Sequence, residues 1–213
     1  MIGAVPYASI YVYSPQGQGI VSERSRLMLA LLKADNVKFI PKYAARVRQQ
    51  AESSTLQEFF SNAECLMPVP RSAPQPMGVL SVTEHLAGAL VREGIGQRVL
   101  PILKRKWAVP KSATAPVGKR PTVKRHYESL VVELCGVEAC AQLPERIMLV
   151  DDVITKGRTL LAAATRVREV FPGVAISAFA LVRTMGLITG VDCLLEPALG
   201  EIRWAEGDAL RSP

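Results

Sequence analysis

The chain has 213 residues, of which 49% are hydrophobic and 21% charged, and this composition excludes an intrinsically disordered or fibrous protein. The sequence contains no apolar run near the roughly 20 residues of a membrane helix, and its N-terminus lacks the basic start and long apolar centre of a signal peptide. We therefore expect a cytoplasmic protein without a membrane segment, with enough residues for one domain and a sizeable core.

The net charge of +7 is concentrated in one segment. Between Glu93 and Glu128 the sequence has nine basic residues and no acidic one, so the remainder of the chain carries a net charge of −2. A segment of this kind attracts phosphate groups, whether they belong to a small molecule or to a nucleic acid.

The four cysteines do not form a metal-binding pattern. Cys135 and Cys140 have four residues between them, and no histidine neighbours them at the spacing of a zinc finger. Free cysteines are commonly buried as small apolar side chains. We therefore expect structural thiols and a fold that does not depend on zinc.

The first half of the chain alternates strand and helix patterns. Apolar spacing and turn residues predict strands over Ala8–Tyr13 and Glu64–Val69, and helices over Glu23–Lys33, Pro41–Gln50 and Thr55–Phe60. Ser81 opens a further helix, because Glu84 stands at the capping-box spacing ahead of an apolar stripe. Arg98–Ile102 is predicted as a strand that Pro101 confines to the edge of a sheet.

The second half begins with a long loop and ends with a repeated strand pattern. Lys106–Val123 holds three prolines and a glycine, which predicts a functional loop that is mobile without ligand. A helix is predicted around His126–Leu134. Strand, helix and strand patterns then follow over Arg146–Val150, Arg158–Phe171 and Val174–Val182. This order predicts a βαβ unit and a parallel sheet, and Ile202–Trp204 is predicted as a late strand.

The most informative segment is Ile147–Leu160, which contains a strand, a loop and the start of a helix. The apolar strand delivers two adjacent carboxylates, Asp151 and Asp152, at the end where open α/β sheets bind ligands. The first turn of the helix offers free backbone N–H groups and the positive end of the helix dipole. Gly157 allows an anion to approach the backbone closely.

This arrangement describes a site for a ribose 5-phosphate. The loop suits a phosphate, while adjacent carboxylates suit the hydroxyl groups of a sugar. It is not a Walker A loop, because its lysine precedes the glycine and two aspartates stand directly upstream. We predict that Asp151 and Asp152 contact the ribose and that the phosphate is bound by Thr155, Lys156, Gly157, Arg158 and Thr159. The alternative is an ordinary βαβ turn with a helix-capping aspartate.

The same run resembles the phosphoribosyl-pyrophosphate signature of the type I phosphoribosyltransferase family, in which a hydrophobic strand, two acidic residues and a Thr/Gly loop follow one another. Within that family the layout is most similar to the ComF-type competence-associated proteins, because Met67–Pro70, a helix and a basic region precede the two acids. The chain differs in two places. It lacks their N-terminal zinc-binding cysteines, and Arg71–Gln75 stands where they have R-G-F-N-Q.

The resemblance implies a doubly wound, mainly parallel α/β sheet with a small hood and a flexible loop. It implies transfer of the phosphoribosyl group from 5-phosphoribosyl 1-pyrophosphate, with release of pyrophosphate. Mg²⁺ would be held through the substrate and not directly by the protein, with Asp151 and Asp152 as the candidates for any direct contact. The flexible loop then corresponds to about Lys104–Arg125. The pyrophosphate would be bound by Arg71, Ser72, Lys104, Arg105 and Lys106.

Residues 1–213 are predicted to form a single phosphoribosyltransferase-like domain. Residues 1–60 would form an N-terminal extension or hood, residues 61–190 the core, and residues 191–213 a C-terminal segment. The expected partners are the small-molecule substrate and a second copy in a homodimer, with nucleic acid bound weakly or indirectly and no membrane.

A second function stays open beside the enzyme. The same fold hosts regulators, and a fold does not determine a function. The alternative is therefore a non-catalytic sensor or effector that binds phosphoribosyl pyrophosphate or a nucleotide, in association with nucleic acid, of the competence or defence type.

Overall fold

A computed structural model describes residues 1–34, 37–53, 55–76, 78–110, 120–134, 144–186 and 190–213. The strands are β1 Ala4–Tyr13, β2 Cys65–Pro68, β3 Arg98–Val99, β4 Leu103–Arg105, β5 Leu130–Val132, β6 Arg146–Ile154, β7 Ala175–Thr184, β8 Leu195–Ala205 and β9 Asp208–Ser212. The α-helices are α1 Ile20–Lys33, α2 Ile40–Ser53, α3 Leu56–Ser61, α4 Val82–Arg92, α5 Val123–Ser129 and α6 Arg158–Val170, and a short 3₁₀ turn covers Val37–Phe39.

The central sheet has seven strands in the order β3-β2-β6-β7-β1-β8-β9. Its first five strands run parallel, whereas β8 is antiparallel to β1 and β9 is antiparallel to β8. The predicted βαβ unit is confirmed as β6-α6-β7, with parallel pairing from Arg146↔Ala175 to Ile154↔Arg183. The protein is therefore an α/β protein with a mostly parallel sheet, as the sequence predicts.

Helices cover both faces of this sheet, and β6 shows why. Ile147 and Leu149 pack in the hydrophobic cluster that contains α6, while Met148 and Val150 pack in the cluster that contains α1 to α4. Successive side chains of a strand point to opposite faces, so a strand covered on both sides must be apolar at every position. The continuous apolar run before Asp151 follows from this double burial.

The structure corrects the helix predicted over His126–Leu134. α5 ends at Ser129, and Leu130–Val132 forms β5, which pairs antiparallel with β4. Leu-Val-Val suits a strand once β4 supplies a partner, so tertiary pairing overrides the helical pattern. The sequence pattern does not predict β4 either. Its basic residues suggest an exposed segment, although Leu103 and Arg105 are buried.

Several other expectations can be compared with the described residues. The capping box at Ser81 is confirmed, since Ser81 Oγ accepts from the Glu84 N–H at 3.1 Å and Glu84 Oε2 accepts from the Ser81 N–H at 2.7 Å. The edge strand is confirmed as β3, which ends at Val99. Residues 111–119 of the basic loop lie outside the described residues, as do Cys135 and Cys140. The mobility of the loop and the division of the domain stay predictions.

The last two strands, β8 and β9, form what we call the C-terminal hairpin. It contains the predicted strand Ile202–Trp204. Ile202 and Ala209 of the hairpin share a hydrophobic cluster with Leu160 and Leu161 of α6. The hairpin therefore lies against the helix that follows β6.

The described helices are short. The longest ones, α1 and α2, have 14 residues each. None of the helices in the described part of the chain is long and apolar enough to cross a membrane.

Candidate functional site

Two carboxylates lie near the carboxyl end of β6, which the sheet places between β2 and β7. β6 continues to Ile154, so Asp151 and Asp152 belong to the strand itself and not to the turn after it. The backbone N–H of Asp152 donates to Asp151 Oδ1 at 2.9 Å, and Lys33, the last residue of α1, brings Nζ to 3.5 Å from Asp152 Oδ2. Burial and the charge of Asp152 raise the pKa of Asp151 well above its usual range. Two adjacent carboxyl groups offer several oxygen atoms to the hydroxyl groups of a ligand.

The loop Thr155–Gly157 joins these acids to α6. Gly157 has a φ of 82°, and a Cβ at this position would lie 2.6 Å from Ile202 Cγ2, so only glycine fits. No side chain of the described residues caps the helix start, so the first N–H groups of α6 have no partner within the helix. Thr155 Oγ1 lies 3.1 Å from Thr184 Oγ1, which fixes the loop to the end of β7. Free N–H groups at a helix start favour an anion.

The two cationic side chains of this loop are held by the C-terminal hairpin. Arg158 donates from Nε to Asp208 Oδ1 and from Nη2 to Asp208 Oδ2, both at 2.5 Å. Lys156 Nζ lies 3.4 Å from the same Oδ2. The hydrogen bonds from Arg158 lower the pKa of Asp208 to about 2, and the same pairing raises the pKa of Arg158. An internal carboxylate therefore offsets one of the two positive charges at this end of the site.

A third cation is buried, because β4 carries the guanidinium of Arg105 into the protein interior, with only 6% of the residue exposed. Its Nε donates to the Arg71 carbonyl at 3.0 Å, and its Nη1 donates to Ser129 Oγ at 2.5 Å and to the His126 carbonyl at 3.4 Å. All of these acceptors are neutral, so no carboxylate of the described residues balances the charge directly. Burial lowers the pKa of Arg105 to about 10, against the opposing effect of Asp151.

Arg105 lines a cavity of about 520 Å³ between β4 and the segment that follows β2. Most of the wall is proline and aliphatic side chains, and its charged residues are Glu84, Lys104, Arg105 and Glu133. Lys104 Nζ lies 3.8 Å from Glu84 Oε1, so these two charges offset each other. Arg105 and Glu133 are then the remaining charges of the lining, and Arg105 is the buried cation that an anionic ligand would compensate.

His126 lies near both Arg105 and Arg158. It is 3% exposed, and neither ring nitrogen has a hydrogen-bond partner in the described part of the chain. Burial, followed by the charges of Arg105 and Arg158, lowers the pKa of His126 to about 4. The imidazole is therefore neutral at pH 7, with its polar atoms unpaired.

The predicted site residues fall into two groups in the described part of the chain. The ribose and phosphate candidates form one continuous segment, and Arg71 meets Arg105 through its carbonyl oxygen. The Ser72 carbonyl accepts from the Val109 N–H at 2.7 Å, so the segment after β2 contacts the basic loop. Lys106 differs, because its Nζ lies 5.5 Å from the Trp107 ring centroid and the residue does not line the cavity.

Sequence reasoning missed two charged contacts to this site. Lys33 lies 119 positions before Asp152, and Asp208 lies 50 positions after Arg158. Neither residue has a local motif, and only the path of the chain places it here. Burial of Arg105 was equally invisible, because a basic run indicates exposure.

Within the described residues, no group of three or more His, Cys, Asp or Glu side chains is placed to hold a metal ion. Asp151 and Asp152 supply two carboxyl groups, which are the oxygen ligands that Mg²⁺ prefers when phosphates complete its coordination. The pair therefore fits a magnesium ion that arrives with its substrate.

Comparisons with known proteins add no relative. A scan against models of known protein families finds no match to this chain, and a search of curated proteins finds none either. The functional interpretation therefore depends on the site itself.

Proposed function

We propose that this protein binds 5-phosphoribosyl 1-pyrophosphate and transfers its phosphoribosyl group to an acceptor, with release of pyrophosphate, as a member of the type I phosphoribosyltransferases of ComF type. The observation that carries the proposal is the order of chemistry along one strand. Two adjacent acids near the end of β6 are followed by a short loop and an uncapped helix start with a glycine of positive φ. The acids for a diol therefore precede the N–H groups for a phosphate by only a short stretch of chain.

The loop would bind the 5-phosphate through backbone N–H groups and hydroxyls. Thr155 and Thr159 supply hydroxyl donors, and Gly157 lets an oxyanion approach the backbone. The positive end of the α6 dipole adds to this attraction.

Asp151 and Asp152 would hold the ribose hydroxyls. Asp152 faces Lys33, and burial and the charge of Asp152 raise the pKa of Asp151 well above its usual range. Mg²⁺, when bound, would neutralise the pyrophosphate and would be held mainly by substrate oxygens, with these two carboxyl groups as its protein ligands.

The pyrophosphate would lie toward Arg105. Its guanidinium is buried, and the charge of Asp151 acts on its pKa. Arg105 also lines the cavity beside Lys104. Preorganised donors that meet the charge of a leaving group lower the barrier to its departure. Arg71 and Ser72 join this end through their contacts with the basic segment.

In the proposed reaction the bond between ribose C1 and the pyrophosphate oxygen breaks, and pyrophosphate leaves with the electron pair. Positive charge develops on C1 and the ring oxygen, as in glycoside chemistry. The acceptor then forms its bond to C1 and loses a proton. No protein nucleophile is required, so the residues act by positioning and electrostatics.

The decisive experiment measures pyrophosphate release from 5-phosphoribosyl 1-pyrophosphate across a panel of nucleobases, with and without Mg²⁺. Binding is measured in parallel by calorimetry for wild type and for the Asp151→Asn, Asp152→Asn double variant. We expect the double variant to lose about 1–3 kcal/mol of binding free energy per charged hydrogen bond removed. The matched control is Glu52→Gln, Glu58→Gln, which removes two exposed carboxylates from α2 and α3. Unchanged affinity in the Asp variant would contradict the proposed site.

A non-catalytic sensor of the same ligand is the second candidate. The observation that favours it is the contact of Asp208 with Lys156 and Arg158. Through this contact, a ligand bound at the loop would change the position of β9. Tight binding of phosphoribosyl pyrophosphate without turnover of any base in the panel would select the sensor over the enzyme.

A further inference from the structure

The C-terminal hairpin surrounds the loop that leads into α6. Asp208 holds the side chains of Lys156 and Arg158. Ile202 fills the space beside Gly157. From the same hairpin, Arg211 donates to the Ile154 carbonyl at 3.4 Å and to the Thr184 carbonyl at 2.8 Å. The hairpin thus contacts the loop before, within and after its glycine.

We propose that this hairpin is an internal competitor for the phosphate group that the loop binds. In the ligand-free protein the Asp208 carboxylate takes the place of a ligand anion at Arg158 and Lys156. An incoming phosphate displaces that carboxylate and moves β9 away from the start of α6. The inference rests on the proposed phosphate site and adds the element that controls access to it.

The chemistry of the contact supports competition. Carboxylates and phosphates both accept two parallel hydrogen bonds from one guanidinium, so they are alternative partners for Arg158. A phosphate in the loop would also lie close to Asp208, and two anions at short range repel each other. The side chains of Arg158 and Asp208 are 19% and 34% exposed, so water can replace the broken contact.

The fold makes β9 the element that can move. β9 is the outer strand of the central sheet and pairs only with β8 among the described strands. β8, in contrast, is also paired with β1 along most of its length. Separation of β9 breaks its ladder with β8, the two Arg211 contacts and the packing of Ala209, and it leaves the pairing of the other six strands in place.

The first test compares ribose 5-phosphate affinity in wild type, Asp208→Asn and Glu201→Gln by calorimetry. Asp208→Asn keeps the size of the side chain and removes its charge. Glu201→Gln removes one carboxylate from the same hairpin, where Glu201 pairs with Arg203 and not with the loop. We expect Asp208→Asn to bind ribose 5-phosphate about tenfold more tightly than wild type. This factor corresponds to a wild-type site that Asp208 closes in roughly nine molecules of ten. Glu201→Gln should bind like wild type.

Two other results overturn the competitor. Weaker or unchanged binding by Asp208→Asn would show that Asp208 supports Arg158 and does not compete with the ligand. An equal gain in affinity for Glu201→Gln would show that the gain comes from the change in net charge alone. In both cases ribose 5-phosphate still binds wild type, so the proposed function survives. Failure of all three proteins to bind would instead reject the phosphate site and the competitor together.

A second measurement needs no variant. Hydrogen exchange of the wild-type protein is followed over Asp208–Ser212 with and without ribose 5-phosphate at saturating concentration. Competition predicts faster exchange of these amides when the ligand is bound, although most ligands slow exchange near their site. Slower or unchanged exchange in β9 upon binding would overturn the proposal.

Discussion

Arg105 and Arg158 both lie near His126, and the fold compensates their two charges in opposite ways. Arg158 is paired with Asp208 through two hydrogen bonds, and this pairing raises its pKa. Arg105 is more deeply buried, its described partners are neutral, and burial lowers its pKa to about 10. One cation is neutralised from within the chain, whereas the other has only its neutral neighbours and the more distant Asp151.

The difference between the two arginines indicates which end of the site the fold completes by itself. A paired arginine is stable without a ligand, while a buried arginine without a carboxylate partner gains most when an external anion arrives. We therefore expect the Arg105 side to contribute ligand affinity and the Arg158 side to contribute stability and control of access. Substitutions on the two sides should separate these roles.

The largest effect is expected for Arg105→Met, which keeps side-chain volume and removes the charge. Binding of 5-phosphoribosyl 1-pyrophosphate should weaken by about 2–3 kcal/mol, roughly 30- to 150-fold, because charged hydrogen bonds to the pyrophosphate are lost. Ribose 5-phosphate has no pyrophosphate, so its affinity should change by less than about threefold. Calorimetry with both ligands measures the difference.

The control for this variant is Arg48→Met, which removes one positive charge from the exposed pair with Glu52 on α2. It should leave both affinities unchanged. An equal loss of affinity for both ligands in Arg105→Met would contradict the separate roles of Arg105 and Arg158.

The next effect concerns His126, which lies near both arginines. Its pKa is about 4 in the folded protein against 6.5 for an ordinary histidine, so the unfolded chain binds the proton first as pH falls. The free energy of unfolding should therefore decrease by about 2 kcal/mol as pH falls from 6.5 to 4, and His126→Gln should remove this part of the decrease. Urea denaturation at several pH values provides the measurement.

Asp151 acts in the opposite direction over part of the same range, because its raised pKa makes the folded protein bind the proton more readily. The comparison should therefore use the difference between wild type and His126→Gln at each pH, which cancels the contribution of Asp151. A difference that does not vary with pH would show that His126 is not held neutral by its surroundings.

A smaller effect is expected for Arg158→Met, which breaks the contact with Asp208. The protein should lose about 1 kcal/mol of stability at pH 7, since the pair is only partly buried. The pairing holds the pKa of Asp208 at about 2, below its usual 3.8, so its contribution is present above pH 3.8 and is lost as pH falls through 2. Thermal unfolding of both proteins at pH 7 measures the loss, and identical melting temperatures would contradict a stabilising role for this side of the site.

The weakest interaction is expected with nucleic acid. The basic segment has no carboxylates of its own, but only Trp107 and Tyr127 accompany it as aromatics, few for a single-strand stacking platform. Binding to labelled DNA and RNA should be weak and should fall steeply with salt, and phosphoribosyl pyrophosphate should compete. Tight binding near physiological salt that the small molecule does not displace would assign the basic segment to a nucleic-acid backbone instead.

The sequence alone predicted the features that depend on neighbours in the chain. The capping box at Ser81 and the βαβ unit around Asp151 follow from residues within one element or its immediate connection, where spacing and chain geometry decide the outcome. The same locality makes the candidate loop Thr155–Thr159 recognisable from its residues and their order. These features require no knowledge of how distant segments pack.

Tertiary structure alone decided what surrounds that segment. Leu130–Val132 became a strand because β4 pairs with it, Arg105 became buried because β4 and α5 enclose it, and Asp208 reached Arg158 because β9 crosses the start of α6. Each outcome depends on contacts between residues far apart in the chain, and a local pattern carries no information about such partners. The sequence thus determined the chemistry of the loop, whereas the fold determined which of its charges are already neutralised.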